Sequence, residues 1–288
     1  MIRIVEVGPR DGLQNEPATI PTAAKVAFID ALSLTGVDEI EASSFVSAKW
    51  VPQLADAEQV LAEIRRAPGV VYSALVPNER GLERALKSGV DKVAVFTAAS
   101  ETFNQKNINA TIDQSIERFE PVVRGAGAAQ LPVRGYVSTA FWCPYEGKIA
   151  PARTVEVVRR LVDLGIDDVS VGDTIGKAAP GEVRALLDLL LLHVPASRIA
   201  MHFHDTYRHA AENVLASWER GVETFDASAG GIGGCPYAPG ASGNVATEVV
   251  VETLRAAGAE VRVDLAALAA ARELIAGALG RQLPPGRG

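Results

Sequence analysis

Apolar and polar positions along the chain fall into two alternating textures. Short runs dense in β-branched residues occupy 3–7, 39–42, 70–75, 92–96, 133–137, 168–171, 199–204 and 224–228. Between them lie longer stretches in which apolar residues recur every few positions: 23–34, 55–66, 79–87, 111–124, 154–164, 181–193 and 210–220. The first texture predicts buried strands, the second amphipathic helices. Four helical stretches run into Gly36, Gly89, Gly165 or Gly221, each followed by a β-branched residue, an acid and the next strand. Glycine in that place suits a left-handed helix cap. Eight strands alternating with helices predict an α/β fold, a (β/α)8 TIM barrel, with an additional C-terminal helix over 265–279. An open doubly wound sheet is the alternative. Residues 1–281 read as one catalytic barrel domain and 282–288 as a flexible tail.

Composition narrows the class. A chain of 288 residues suits a closed barrel, which typically takes about 250. With 48% hydrophobic and 22% charged residues it is globular and can bury a large core. The formal charge of −7 argues against a nucleic-acid partner, although a few local cations can still hold an anionic substrate. Two cysteines, Cys143 and Cys235, make no disulfide framework and predict free thiols in a reducing cytoplasm. The N-terminus begins as a strand, without the basic and apolar regions of a secretory signal. No apolar run reaches the ~18–20 residues of a membrane span. The expectation is a cytoplasmic protein with no membrane partner, and a homodimer on the frequency of twofold assemblies.

In such barrels the chemistry sits where strands end. The seventh strand ends in His202-Phe203-His204, half of the four histidines of the chain. Residues two apart on a strand share a face, so both imidazoles are expected to point into the mouth. A pair on one face at that rim favours metal ligation over two core histidines. The oxygen donors expected nearby are Asp11, after the first strand, and Asn244, whose bland role is to cap a helix. That mixed set suits Mg2+ or Mn2+, with Zn2+ still compatible by ligand type.

Arg10 beside Asp11 is either a structural ion pair or a cation for the substrate. Glu41 closes the second strand and Asp173 follows the sixth; each is a helix cap or a member of the same rim. The stretch from Gly230 to Gly243 is glycine-rich but lacks the Gly-Lys-Ser/Thr ending of a phosphate loop, so it reads as a lid. Cys235 at its centre is an inert thiol or a proton shuttle. Tyr136, Cys143 and Glu146 belong to the same face with lesser roles. Lys49, Lys106 and Lys148 are cations near it in sequence, solvated by default.

The run Val5-Glu6-Val7-Gly8-Pro9-Arg10-Asp11-Gly12-Leu13-Gln14-Asn15-Glu16 resembles the opening strand and loop of the 3-hydroxy-3-methylglutaryl-CoA lyases. So do Ser44-Phe45-Val46-Ser47-Ala48-Lys49-Trp50-Val51-Pro52-Gln53, Arg134-Gly135-Tyr136-Val137-Ser138, Cys143-Pro144-Tyr145-Glu146-Gly147-Lys148, Gly172-Asp173-Thr174-Ile175-Gly176 and the stretch from Cys235 to Glu248. The resemblance covers nearly the whole chain. It implies a metal-dependent TIM-barrel lyase that cleaves 3-hydroxy-3-methylglutaryl-CoA to acetyl-CoA and acetoacetate, the chemistry of leucine degradation and ketone bodies. It implies an acyl-CoA substrate and a divalent cation, usually Mg2+ or Mn2+, held by Asp11, His202, His204 and Asn244. Arg10 would stabilise the enolate, and Cys235 or His202 would move the proton. Glu41 and Asp173 would orient metal-bound groups or water, and Glu248 would support Arg10.

A lyase for a related thioester, such as 3-isohexenylglutaryl-CoA or citramalyl-CoA, would use the same site. A non-catalytic metal-binding barrel is the reading from another class. The chain departs from the family in two respects. No transit peptide and no C-terminal cysteine like those of the animal enzymes are expected, and Tyr207-Arg208-His209 stands where the family often has Tyr-Gly-Gln.

Overall fold

The computed structural model describes residues 1–233 and 243–284. Eight parallel strands close into a barrel: β1 (Arg3–Glu6), β2 (Glu39–Ser44), β3 (Val71–Leu75), β4 (Lys92–Ala98), β5 (Val133–Ser138), β6 (Asp168–Asp173), β7 (Ile199–Phe203) and β8 (Thr224–Ala227). Each strand pairs with its sequence neighbours, and β1 closes the ring by pairing with both β8 and β2. This is the expected (β/α)8 architecture, with strand boundaries shifted by one to two residues. The seventh strand ends at Phe203, and His204 instead makes an isolated antiparallel bridge with Asn244.

Alternation along the strands sorts side chains into two environments. Ile199, Met201 and Phe203 of β7, Val93 and Val95 of β4, and Val169 and Val171 of β6 join the main hydrophobic core. That core lies between the strands and the surrounding helices, where burying a large apolar side chain contributes about 1.5–3 kcal/mol. The inward positions carry buried Glu39, Glu41, Lys92, Arg134, Ser170, His202 and Asp226, with a small apolar cluster of Leu75, Ala94 and Tyr136. The barrel interior is therefore polar, and hydrophobic burial is the task of its outer face.

The helices are α1 (Thr22–Leu32), α2 (Ala57–Glu63), α3 (Glu79–Lys87), α4 (Glu101–Ile108), α5 (Ile112–Ala128), α6 (Pro151–Asp163), α7 (Pro180–Leu190), α8 (Ala210–Trp218), α9 (Thr247–Ala256) and α10 (Leu265–Leu279). The expected C-terminal helix is α10, which packs against α1. The four glycines after helices have φ of 84°, 66°, 100° and 84°, the left-handed geometry that relieves a Cβ clash.

The sequence pattern does not foresee α4, a mostly polar helix started by the Ser100 side chain accepting from Phe103 N. Asn244 does not cap α9, which starts three residues later with Ala246 as its cap. Leu283, in the expected flexible tail, is buried in the core. No helix among the described residues is long and apolar enough to cross a membrane.

Candidate metal centre at the barrel mouth

The loop after β1 is a single π-helical turn, Gly8–Gly12. The amides of Arg10, Asp11 and Gly12 all donate to Val7 O, at 3.2, 2.8 and 3.2 Å. Such a turn is costly in isolation and recurs at functional sites. Beneath it, the fully buried Glu6 accepts from Gly8 N at 3.0 Å, Ala229 N at 2.9 Å and the Thr247 hydroxyl at 2.7 Å. Glu6 thus ties the first loop to the eighth. Burial pushes its carboxyl up to about 7, against the pull of those three donors. Sequence reasoning missed Glu6; its only signal is an acid between Val5 and Val7 in an apolar strand.

Arg10 is held rigidly. Its Nε and Nη2 donate to Glu41 Oε2 at 2.7 and 2.6 Å, and Nη1 meets Asp11 Oδ1 at 2.7 Å. Its guanidinium carbon stacks 5.2 Å from the Tyr136 ring centre, whose hydroxyl donates to the same Glu41 oxygen at 3.1 Å. Burial works to discharge the guanidinium, but Glu41 and Asp11 outweigh it and raise its pKa. Glu41, expected to orient metal-bound groups or water, clamps Arg10 through Oε2, while its Oε1 is buried without a hydrogen-bond partner.

Asp11, His202 and His204 present ligand atoms that all lie within 4.8 Å of one another. The two imidazole rings are 5.3 Å apart and tilted by 50°. Asn244, placed by its bridge to His204, donates to Asp11 Oδ2 at 2.9 Å and to Ile232 O at 3.1 Å. Its Oδ1 is buried without a hydrogen-bond partner, and so is Nδ1 of His204. Buried polar atoms are normally satisfied, so these open acceptors beside a carboxylate have the chemistry of a cation site. Burial would raise the pKa of Asp11, but Arg10 and the two histidines lower it. Burial and His202 together drop His204 to about 4 and keep it neutral, the form that ligates.

The other expected residues serve this group from outside it. Asp173 was expected to orient metal-bound groups or water. Its oxygens are taken by the amides of Lys177 at 3.2 Å and Ala178 at 2.9 Å, so it fixes the loop after β6. That loop lies so close that a Cβ on Gly176 would come within 2.7 Å of His204 O. Burial pushes the Asp173 carboxyl up to about 7. Glu248, expected to support Arg10, makes no direct bond to it among the described residues; it accepts from Gly230 N at 2.9 Å and pairs with Arg272 at 3.3 Å, anchoring the start of the eighth loop. The alternative partner was invisible in sequence because Arg272 lies on α10. Cys235 lies outside the described residues.

Around the rim, Cys143 Sγ is buried 3.0 Å from the Ser100 hydroxyl, and Glu146 accepts from Thr102 N at 2.7 Å. Lys148 is matched to Glu182 at 2.7 Å, whereas Lys106 rests 4.6 Å over the Tyr145 ring. A cavity of about 40 Å³ between Arg10, Asp11, Tyr136, Ser138, Gly172 and His202 opens onto the site.

Comparison with known proteins bears on this arrangement. The HMGL-like family model matches residues 1–275. The bovine mitochondrial hydroxymethylglutaryl-CoA lyase is 49% identical over 281 residues, covering 98% of this chain and 86% of the relative. The 3-hydroxy-3-isohexenylglutaryl-CoA/hydroxy-methylglutaryl-CoA lyase of Pseudomonas aeruginosa is 50% identical, covering 97% of this chain and 93% of the relative. A solved HMG-CoA lyase from Acinetobacter baumannii, in complex with coenzyme A and 3-methylmalate, superposes with a TM-score of 0.93 at 38% identity, covering 99% and 93% of the two chains. A match of this length and identity leaves one assignment: the chain belongs to the HMGL-like family, that of the hydroxymethylglutaryl-CoA lyases.

Proposed function

We propose that this protein splits 3-hydroxy-3-methylglutaryl-CoA into acetyl-CoA and acetoacetate with the help of a divalent cation, Mg2+ or Mn2+. The observation that carries the reading is the convergence of Asp11, His202, His204 and the unpartnered Asn244 Oδ1 beside a fixed, buried arginine. Those four residues would hold the cation, which when bound makes a tertiary hydroxyl easier to deprotonate.

The bond to be broken joins C2 and C3 of the acyl chain. As the hydroxyl proton leaves, C3 becomes the ketone carbon of acetoacetate, and the electron pair passes to the departing acetyl-CoA enolate. Arg10 offers that enolate a guanidinium already locked by Glu41, Asp11 and Tyr136. It need not reorganise as charge grows on the thioester oxygen, which is what makes such a donor effective. One proton returned to C2 completes acetyl-CoA and balances the proton lost from the hydroxyl. Cys235 and His202 are the two candidate donors. Glu41 orients Arg10, while Asp173 and Glu248 hold the loops that frame the mouth.

The test is acetoacetate release from 3-hydroxy-3-methylglutaryl-CoA by the purified chain, with and without EDTA. Release that stops with EDTA and returns with Mn2+ is expected. No release at any cation concentration overturns the proposal in favour of a non-catalytic barrel. The printed name of the Pseudomonas relative motivates one second reading, a longer 3-branched glutaryl thioester. A higher kcat/KM for the isohexenyl substrate than for the methyl one would select it.

A further inference from the structure

The two histidines of the mouth are not equivalent. Behind His202 stands Asp226, whose position is fixed by the sheet itself: the register of β8 on β7 places Asp226 directly opposite His202. Asp226 Oδ2 lies 3.5 Å from His202 Nδ1 and accepts the Ser170 hydroxyl at 2.6 Å. Its Oδ1 accepts Arg134 Nη1 at 2.7 Å. Arg134 in turn reaches Asp168 at 2.6 Å, Asp168 reaches Lys92 at 2.8 Å, and Lys92 reaches Glu39 at 3.1 Å. A ladder of alternating charge therefore runs up the barrel interior and ends on His202. Neither Nδ1 makes a hydrogen bond in this geometry, but only that of His202 faces a carboxylate within ion-pairing distance; among the described residues His204 has none.

We propose that Asp226 is a positioning residue for the reaction: held by Arg134 and Ser170, it fixes His202 as the Nδ1–H tautomer and so turns Nε2, with its lone pair, toward Asp11 and His204. A neutral imidazole carries a single ring proton, and a carboxylate facing one nitrogen keeps the proton there. Without that carboxylate the proton is free to sit on Nε2, where it blocks ligation. His204 lacks any such device and takes its tautomer from whatever occupies the site. This inference rests on the cation reading above, and the measurements separate the two.

The chain has only four histidines, so a 15N-histidine-labelled, metal-free sample resolves them by long-range 1H–15N correlation. His202 is expected as the Nδ1–H tautomer in the wild-type protein; the Nε2–H tautomer there overturns the proposal. This readout needs no variant and no metal. Calorimetric titration with Mn2+ alone then compares Asp226→Asn and Ser170→Ala with wild type. Asp226→Asn is expected to bind Mn2+ about 10–100-fold more weakly, the usual effect of losing an outer partner of a ligand. Ser170→Ala, which leaves the carboxylate in place, is expected to show a smaller loss in the same direction. A folded Asp226→Asn protein that binds Mn2+ within twofold of wild type overturns the proposal. Failure of the wild-type chain to bind Mn2+ would instead sink the cation reading, with the tautomer still decided by the spectrum.

Discussion

The two ends of the barrel interior both bury charge, and they use it in opposite ways. At the floor, Glu39, Lys92, Asp168 and Arg134 close on one another, each with an opposite charge within 3.1 Å. At the mouth, Asn244 Oδ1 and His204 Nδ1 are left open beside Asp11. The floor also holds the larger space, about 290 Å³ against about 40 Å³ at the mouth. Volume therefore points to the wrong end. One open atom does not mark a site, since Glu39 Oε1 at the floor is also unpartnered; what marks the functional end is that Asn244 Oδ1, His202 Nδ1 and His204 Nδ1 are open on residues gathered round one carboxylate, Asp11.

This contrast predicts which variants lose stability and which lose turnover. The largest effect belongs to the floor. Arg134→Met leaves the buried Asp226 without its arginine and Asp168 with Lys92 alone, and should lower the unfolding free energy by about 3–5 kcal/mol, as breaking a buried pair does. Urea unfolding measures it, and a change near zero would erase the distinction between the two ends. At the mouth, Arg10→Gln should cut kcat by about 10²–10³, or ~3–4 kcal/mol of barrier, while KM moves little. A variant with wild-type kcat would remove Arg10 from the chemistry.

A third effect concerns pH. Burial holds the Glu6 carboxyl near 7, against an ordinary 4.5. Between those values the folded chain keeps a proton that the unfolded chain has released, so this group's contribution to stability is lost as pH rises from about 4.5 through about 7. Each pKa unit is worth about 1.4 kcal/mol, so Glu6→Gln should flatten the stability difference between pH 5 and pH 8 by up to ~3 kcal/mol. A slope unchanged in that variant would assign the proton to Asp173, which shares the window. The smallest effect is expected of Glu248→Gln. With its partners Gly230 N and Arg272 away from Arg10, it should cost ~1–2 kcal/mol of stability and leave kcat within a few-fold of wild type. A loss of kcat as deep as that of Arg10→Gln would restore the direct link between the two residues.

Much of the framework is legible in the sequence because parallel strands covered on both sides carry near-continuous apolar runs, and because helices that return to such strands end in glycine. The His202-Phe203-His204 spacing is equally plain, since a period of two fixes the shared face whatever the surroundings. Partner identity was not legible. Glu41 and Glu248 each read as a helper of the site, but what each carboxylate grips depends on elements far apart in the chain: Arg10 after β1 for one, Arg272 on α10 for the other. The π-helical turn was hidden too, because three amides converging on Val7 O leave no compositional trace. Arg134 entered only as part of a quoted run and Asp226 not at all, because a lone charge in an apolar strand reads as an exception until its counterpart is seen 92 residues away.

The ladder of charge through the barrel also bears on how the ring comes together. Its rungs sit on β2, β4, β5, β6 and β8, and the contact of Lys92 with Asp168 joins the first half of the strand order to the second. A half-barrel assembled alone would leave Asp168 without Lys92, and β5–β8 would hold two acids against a single arginine. A strand slipped by one residue would turn its charge outward into the apolar layer under the helices. Only the complete, correctly registered ring sets both cations among the three acids, so partial and misaligned closures carry a cost in poorly paired buried charge that the native closure avoids.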